Sequence, residues 1–228
     1  MSKQAYLSLS LARALRRLQR FWANANDLYL GIETSDVGYA AKTDPLKGWP
    51  FAAYSSKARY SDAIFYLASD YLNIRRVARK LHLSAHDVFY DIGCGKGRVV
   101  CTFATYRLQR VIGIDLNETL CEIARKNAAH MRRRKTSIDI RCEDAAIADL
   151  SDGTVFFMYN PFGPATMKRV LDNIGRCLER NRRMVRIVYY NPVFKELFHE
   201  YKWIRPMPGL RTVVGRQEIA FWQSCFID

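Results

Sequence analysis

Three glycines at alternate positions, Gly93, Gly95 and Gly97, follow an apolar run, and a carboxylate, Asp91, stands two residues before the first of them. Glycines let a backbone turn sharply and let a ligand come into van der Waals contact with it. A helix beginning beyond such a loop offers free N–H groups and a partial positive charge. The pattern is G-x-G-x-G, with Lys96 and Arg98 interleaved. It lacks the third glycine of a dinucleotide fingerprint, and no G-x-x-x-x-G-K-[ST] phosphate loop is present. Asp91 suits a ligand that carries an amine and would repel a pyrophosphate. Three further polar stretches end apolar runs downstream: Asp115 in "VIGIDL", Asp144 with Ala145 in "CEDA", and Asn160, Pro161 and Phe162 in "MYNPFGP".

Such residues converge only if the elements carrying them line up. From residue 87 the hydrophobic pattern alternates between short continuous apolar runs and helical periods. Strands are expected at "DVFYDIG", "RVIGIDL", "SIDIRCEDA", "TVFFMYNPF" and "RMVRIVYYNP". Helices are expected over about 97–107, from Asn117 through "NETLCEIARKNAAHM", over "PATMKRVLDNIGRCLER" with Pro164 near its start, and as a short piece at "VFKELFHEY". "YKWIRPMPGL" and "QEIAFWQSCFI" read as a closing pair of strands without a helix between them. The expectation is an α/β protein with a doubly wound, mostly parallel, Rossmann-like seven-stranded sheet and a C-terminal antiparallel hairpin. Ligands of such sheets sit beyond the carboxyl ends of the strands, where the strand order switches. A long helix over about 57–82, with Ile64, Leu67, Tyr71, Ile74 and Val77 on its apolar stripe, precedes the first strand.

These ordered motifs together resemble the class I S-adenosylmethionine-dependent methyltransferases, over about residues 57–228. "DIGCGKG" is similar to the family's first motif, whose loop backbone holds the amino-acid part of S-adenosyl-L-methionine. The resemblance implies that Asp115 accepts both ribose hydroxyls, and its place at the end of the second strand, beside the glycine loop, suits a carboxylate–diol contact. Taken alone, Asp115 is equally a turn or cap residue before Asn117. The resemblance further implies that Asp144, with Ala145 beside it, accepts a hydrogen bond from the adenine amine; the plain alternative is a loop acid. "YNPF" resembles the motif lining the transfer spot, so Asn160, Pro161 and Phe162 are implied catalytic residues that hold an acceptor amine, with S-adenosyl-L-homocysteine as the product. Phenylalanine then glycine replaces the proline then aromatic of nitrogen methyltransferases, which is nearer to Dot1-like lysine methyltransferases and their bacterial relatives. Tyr54, before the long helix, is implied to close over the cofactor, while Ser55 and Ser56 are equally N-cap residues. Asn160 stands where metal-assisted O-methylation would want a carboxylate, so no metal is expected. His82, His86, His130 and His199 are bases for a hydroxyl acceptor only by type.

Residues 1–57 read as an N-terminal extension, a lid or acceptor platform, and 58–228 as the methyltransferase domain. In "LSLARALRRLQRFW", Leu11, Leu15, Leu18 and Trp22 fall at helical spacing, with Arg13, Arg16, Arg17 and Arg20 mostly off that stripe. A helix packed on the body is expected; an amphipathic helix on an anionic lipid surface, or a mitochondrial-type targeting segment, has the same composition. Residues 31–57 read as an irregular loop. The net charge is +14, which favours acidic protein, anionic lipid or nucleic-acid partners, and "HMRRRK" and "ERNRRMVR" are basic clusters. None of the six cysteines forms a CxxC or zinc-type spacing, so reduced thiols in a cytoplasmic protein are expected, with peripheral membrane association as the variant. The sequence supports methylation of an amine nitrogen, such as a protein lysine. The alternatives are O-methylation of a lipid or saccharide at an anionic surface, and a non-catalytic cofactor-binding partner of another protein.

Overall fold

The computed structural model describes residues 17–18, 20–34, 68–213 and 216–225. Helix α1 covers 17–18 and 20–30. It is followed by α2 (Tyr71–Lys80), β1 (Val88–Ile92), α3 (Arg98–Phe103), β2 (Arg110–Asp115), α4 (Glu118–His130), β3 (Ile138–Cys142) and β4 (Val155–Tyr159). Then come α5 (Pro164–Arg180), β5 (Arg186–Tyr190), a 3-10 turn at Lys195–Glu200, β6 (Ile204–Arg211) and β7 (Glu218–Ser224).

The seven strands form one sheet in the order β3-β2-β1-β4-β5-β7-β6. The first five are parallel, and β7 runs antiparallel between β5 and β6. This is the doubly wound Rossmann-like sheet with a C-terminal hairpin expected from the sequence. Strand β1 is buried along its whole length because helices cover both faces. On one face Tyr71, Ile74 and Val77 of α2 pack with Val100 and Phe103 of α3 and Ala124 of α4. On the other, Met167, Val170, Leu171 and Ile174 of α5 pack on Tyr90, Phe156 and Tyr189. Edge strand β6 carries Pro206 and Pro208, where a missing N–H costs the ladder least, and its pairing slips between Met207 and Leu210.

Several boundaries differ from expectation, each for a local reason. Within the described residues helix α2 starts at Tyr71: 68–70 are not helical, Asp70 is extended, and its carboxylate caps the helix by accepting from Leu72 N at 2.8 Å and Asn73 N at 3.1 Å. Ile64 and Leu67 lie outside the described residues. Helix α3 cannot include Gly97, whose φ of +82° is left-handed. It ends at Phe103, after which Ala104 O accepts from Lys135 N and Thr136 N. In the N-terminal region Leu18 and Trp22, expected against the body, are exposed. The buried side of α1 and the residues just after it are instead Asp27, Leu30, Ile32 and Thr34, because Asp27 anchors this stretch by accepting from the Thr34 hydroxyl (2.8 Å) and from Tyr71 Oη. Leu30 and Ile32 join the core of the α2–α3 face. Most of the expected loop at 31–57, and Tyr54 with Ser55 and Ser56, lie outside the described residues.

Candidate active site

Strands β1 and β4 are parallel neighbours in the middle of the sheet, so the turns that follow them emerge side by side at the carboxyl ends of the strands. Gly93, Gly95 and Gly97 have φ of +81°, +54° and +82°. Residues with a Cβ adopt that region at a cost of roughly 1–2 kcal/mol each. The chain after β1 folds over the end of β2: Gly93 N and Cys94 N both donate to Ile114 O, at 2.8 and 3.0 Å. A Cβ on Gly93 would lie 2.6 Å from the Cβ of Pro161. The missing side chain is therefore what lets the glycine loop and the Asn160–Phe162 turn touch. Helix α4 secures the loop from behind, with Asn127 Nδ2 donating to Lys96 O at 2.9 Å.

Asp91 is buried near the end of β1. Burial, and then the neighbouring Asp115, push its carboxyl well above the usual carboxylate range. Asp115 ends β2; its Oδ2 accepts from Gly95 N at 2.8 Å and its Oδ1 from Asn117 N at 2.9 Å. Burial raises its pKa, opposed by those backbone N–H groups. Among the described residues neither carboxylate has an ion-pair partner. The pair fits a ligand that brings a cationic amine and hydroxyl donors, and a glycine cradle free of Cβ atoms lies beside it. These are the parts of an amino-acid nucleoside such as S-adenosylmethionine.

Asp144 is half-buried after β3, and its Oδ1 accepts from Ala146 N at 2.9 Å, which makes it the cap of the turn over 145–148. Ala145 is buried there, and Asn173 of α5 holds the turn by donating to Ala145 O (3.0 Å) and Ala148 O (2.9 Å). Asn160 is buried and left-handed, with φ of +39°, and its Oδ1 accepts from Tyr189 Oη at 2.9 Å. Burial pushes the Tyr189 hydroxyl up to about 12, so it stays protonated and able to donate. Phe162 is buried on the α5 face. The aromatic rings at the ends of β4 and β5 on the opposite face are Tyr159 and Tyr190, with centroids 4.5 Å apart. All four histidines are exposed, and none shares a hydrogen bond with the loop or with Asn160 among the described residues.

Two groups have no signature in the motifs. Tyr189 and Tyr190 read in the sequence only as strand residues; the alternation of β5 is their sole signal. Arg98, which reads as a loop cation, is buried: its Nε donates to Thr34 Oγ1 at 2.7 Å, its Nη1 to Ser69 O at 3.0 Å, and its Nη2 lies 3.6 Å from Asp27 Oδ2. It ties the glycine loop to Ser69 and to Thr34 and Asp27, the last two more than sixty positions earlier.

The comparisons agree with this geometry. Residues 89–181 match the model of a methyltransferase domain family. An H3 lysine-79-specific histone-lysine N-methyltransferase from Dictyostelium discoideum is 27% identical over 122 residues, which is 48% of this chain but only 7% of that protein. An RNA methyltransferase from Salinibacter ruber, in complex with S-adenosyl-L-homocysteine, is 21% identical with a TM-score of 0.53, over 71% of this chain and 96% of its own. An S-adenosylmethionine-dependent O-methyltransferase from Thermotoga maritima is 16% identical with a TM-score of 0.55, over 72% of this chain and 69% of its own. Fold, motif order and domain match converge on one conclusion: residues 89–181 form a class I, S-adenosylmethionine-dependent methyltransferase domain.

Proposed function

We propose that the protein transfers the methyl group of S-adenosylmethionine to an amine nitrogen, on a protein lysine or another basic nitrogen. The observation that carries this reading is Asn160, buried in a left-handed turn against Gly93's neighbour Pro161, with its amide oriented by Tyr189. The likeness to a lysine N-methyltransferase over 122 residues supports it. Bound S-adenosylmethionine supplies a methyl on a cationic sulfur, already an excellent leaving group, so holding the acceptor in line accounts for much of the catalysis. The Tyr189 hydroxyl occupies one lone pair of Asn160 Oδ1, and the other can accept an acceptor N–H. The carbonyl of Pro161 offers a second acceptor. The acceptor nitrogen gains positive charge as it is methylated, which the faces of Tyr159 and Tyr190 stabilise. Phe162, buried on the α5 side, shapes the turn rather than stacking on the acceptor. Asp91 takes the cofactor amine, Asp115 its ribose hydroxyls, and Asp144 and Ala145 bound its adenine.

The experiment incubates the protein with radiolabelled S-adenosylmethionine and a fractionated cell extract, then repeats the assay with Asn160→Ala. Label in protein, recovered as N-methyl amino acid and lost in the variant while calorimetry still detects cofactor binding, is the expected result. Label confined to lipid or saccharide as an ester or ether would overturn the nitrogen assignment. Undiminished turnover by Asn160→Ala would overturn the role of that residue.

A further inference from the structure

Helix α1 buries one side and leaves the other apolar and bare. Phe21, Trp22 and Leu28 are 68%, 62% and 74% exposed, and Leu18 and Tyr29 complete the same outward stripe. With exposed Ala25 between them, these positions recur at three- and four-residue intervals, so they form one continuous face. Large apolar side chains gathered this way on a soluble surface mark an interaction site rather than chance exposure.

The frame around the stripe is cationic. Arg17 and Arg20 are exposed on α1 itself. At its C-terminal end, Arg132 N donates to Leu30 O at 2.6 Å, and the Arg133 guanidinium lies 4.2 Å from the Tyr29 ring centroid. That contact brings the exposed run Arg132, Arg133, Arg134 and Lys135 alongside the apolar face. The acid on α1, Asp27, is turned inward and engaged by Thr34 and Tyr71, so it does not offset this charge outside. No acidic residue precedes it in the sequence.

We propose that this face docks the protein, peripherally, on an anionic lipid bilayer. Charge alone would suit any polyanion. The apolar stripe decides between them, since Leu18, Phe21 and Leu28 gain nothing from a phosphate backbone and need a hydrocarbon partner. The boundary between headgroups and acyl chains offers phosphates and hydrocarbon within one helix diameter. Trp22 and Tyr29 are the ring types that settle at that boundary. The docking is surface attachment: no helix among the described residues is long and apolar enough to cross a membrane. The Arg98–Thr34 bond and the Asn127 bonds to Glu33 and Lys96 O join the docked segment to the glycine loop, which would hold the active site close to the bilayer. The inference does not depend on the chemistry of the acceptor.

The test uses the full chain and co-sedimentation with vesicles of mixed phosphatidylglycerol and phosphatidylcholine, against phosphatidylcholine alone. Binding to the anionic vesicles only, weakening as salt is raised, is expected. Phe21→Glu with Trp22→Glu should lower the partition at least tenfold, and Arg17→Glu with Arg20→Glu should lower it by at least about fivefold per arginine. Unchanged thermal melting and cofactor binding would show that these exposed changes leave the fold intact; Trp22→Ala alone serves if the double variant does not fold. Failure of the intact chain to bind anionic vesicles, or binding that the apolar variants leave unchanged, overturns the proposal. So does tight binding of a single-stranded RNA oligonucleotide in place of vesicles.

Discussion

The cofactor half of the sheet, β1 to β3, and the acceptor half, β4 to β7, are built on different scales. In the first, the residues proposed to hold the donor come from one short stretch: Asp91, three left-handed glycines and Asp115 twenty residues beyond Gly95, whose backbone N–H donates to it. In the second, the side-chain bonds of Asn160 and Tyr190 span distant sequence. Tyr189 reaches Asn160 across 29 residues, and Asn73 of α2 reaches Tyr190 across 117, at 3.4 Å. A shared donor site depends on backbone geometry, which tolerates changes around it. An acceptor site depends on side chains gathered from several elements, and can be rebuilt without touching the donor.

Arg98 is the largest exception, and the variant most able to break the contrast. It opens α3 directly after the glycine loop, yet it is satisfied by Thr34, Ser69 and Asp27. Removing one partner of a buried charge pair leaves the other uncompensated, typically at about 3–5 kcal/mol. Arg98→Ala should lower the unfolding free energy in urea by about that amount and weaken cofactor binding with it. A loss below about 1 kcal/mol, the range of exposed ion pairs, would return the donor half to being purely local.

Gly93→Ala tests the junction itself. The new Cβ would enter a left-handed φ of +81° and stand 2.6 Å from Pro161 Cβ. Strain and the clash together should reduce cofactor affinity by roughly a hundredfold, some 2.7 kcal/mol, as read by calorimetry, and turnover with it. If turnover fell while affinity held, the glycine would be serving the Asn160 turn and not the donor site.

Asp91→Asn sharpens the donor side through pH. Its carboxyl is raised well above the ordinary value by burial and then by Asp115. A raised carboxylate favours the native state at low pH, and that contribution is lost as pH rises through the folded-state pKa. The asparagine variant should therefore be more stable than the parent at neutral pH and above, with the gain vanishing in acid. A cofactor ammonium needs the ionised carboxylate, so the parent's affinity should rise as pH climbs through that raised pKa. The variant's affinity should be at least about tenfold lower and flat with pH, in line with the loss of a charge-assisted hydrogen bond. Identical pH profiles for parent and variant would place the amine elsewhere.

How far the sequence could be read follows the same scale. The sheet, its antiparallel end, helix α5 to the residue, and the donor loop all rest on periodicity and turn chemistry that neighbouring residues carry. Asp144 was legible as a position, but its capping bond to Ala146 depends on the turn over 145–148 that α5 anchors through Asn173. Phe162 read as a ring for the acceptor and is buried on the α5 face, just before extended Gly163 caps that helix. The outward face of α1 was misjudged, since helical spacing fixes which residues share a face but not which face meets the body. That choice belongs to Asp27, whose partners Thr34 and Tyr71 no local pattern predicts.

Tyr189 offers the smallest effect and the cleanest view of the acceptor side. Its hydroxyl touches neither cofactor nor acceptor in this reading; it acts by orienting the Asn160 amide. Tyr189→Phe keeps the ring that packs on Phe198 and removes one buried hydrogen bond, typically a loss of about 1 kcal/mol. If that energy is spent only on orientation, kcat should fall about fivefold. Cofactor affinity should stay within twofold, roughly 0.4 kcal/mol. A merely structural tyrosine would instead lower the melting temperature and leave kcat, measured well below it, unchanged. Because the hydroxyl is held up to about 12 by burial, the parent's turnover should show no ionisation of Tyr189 near neutral pH, and the variant should lose no pH feature there. A fall in kcat without a change in donor affinity would show that the two halves of the site can be altered separately, although they touch at Gly93 and Pro161.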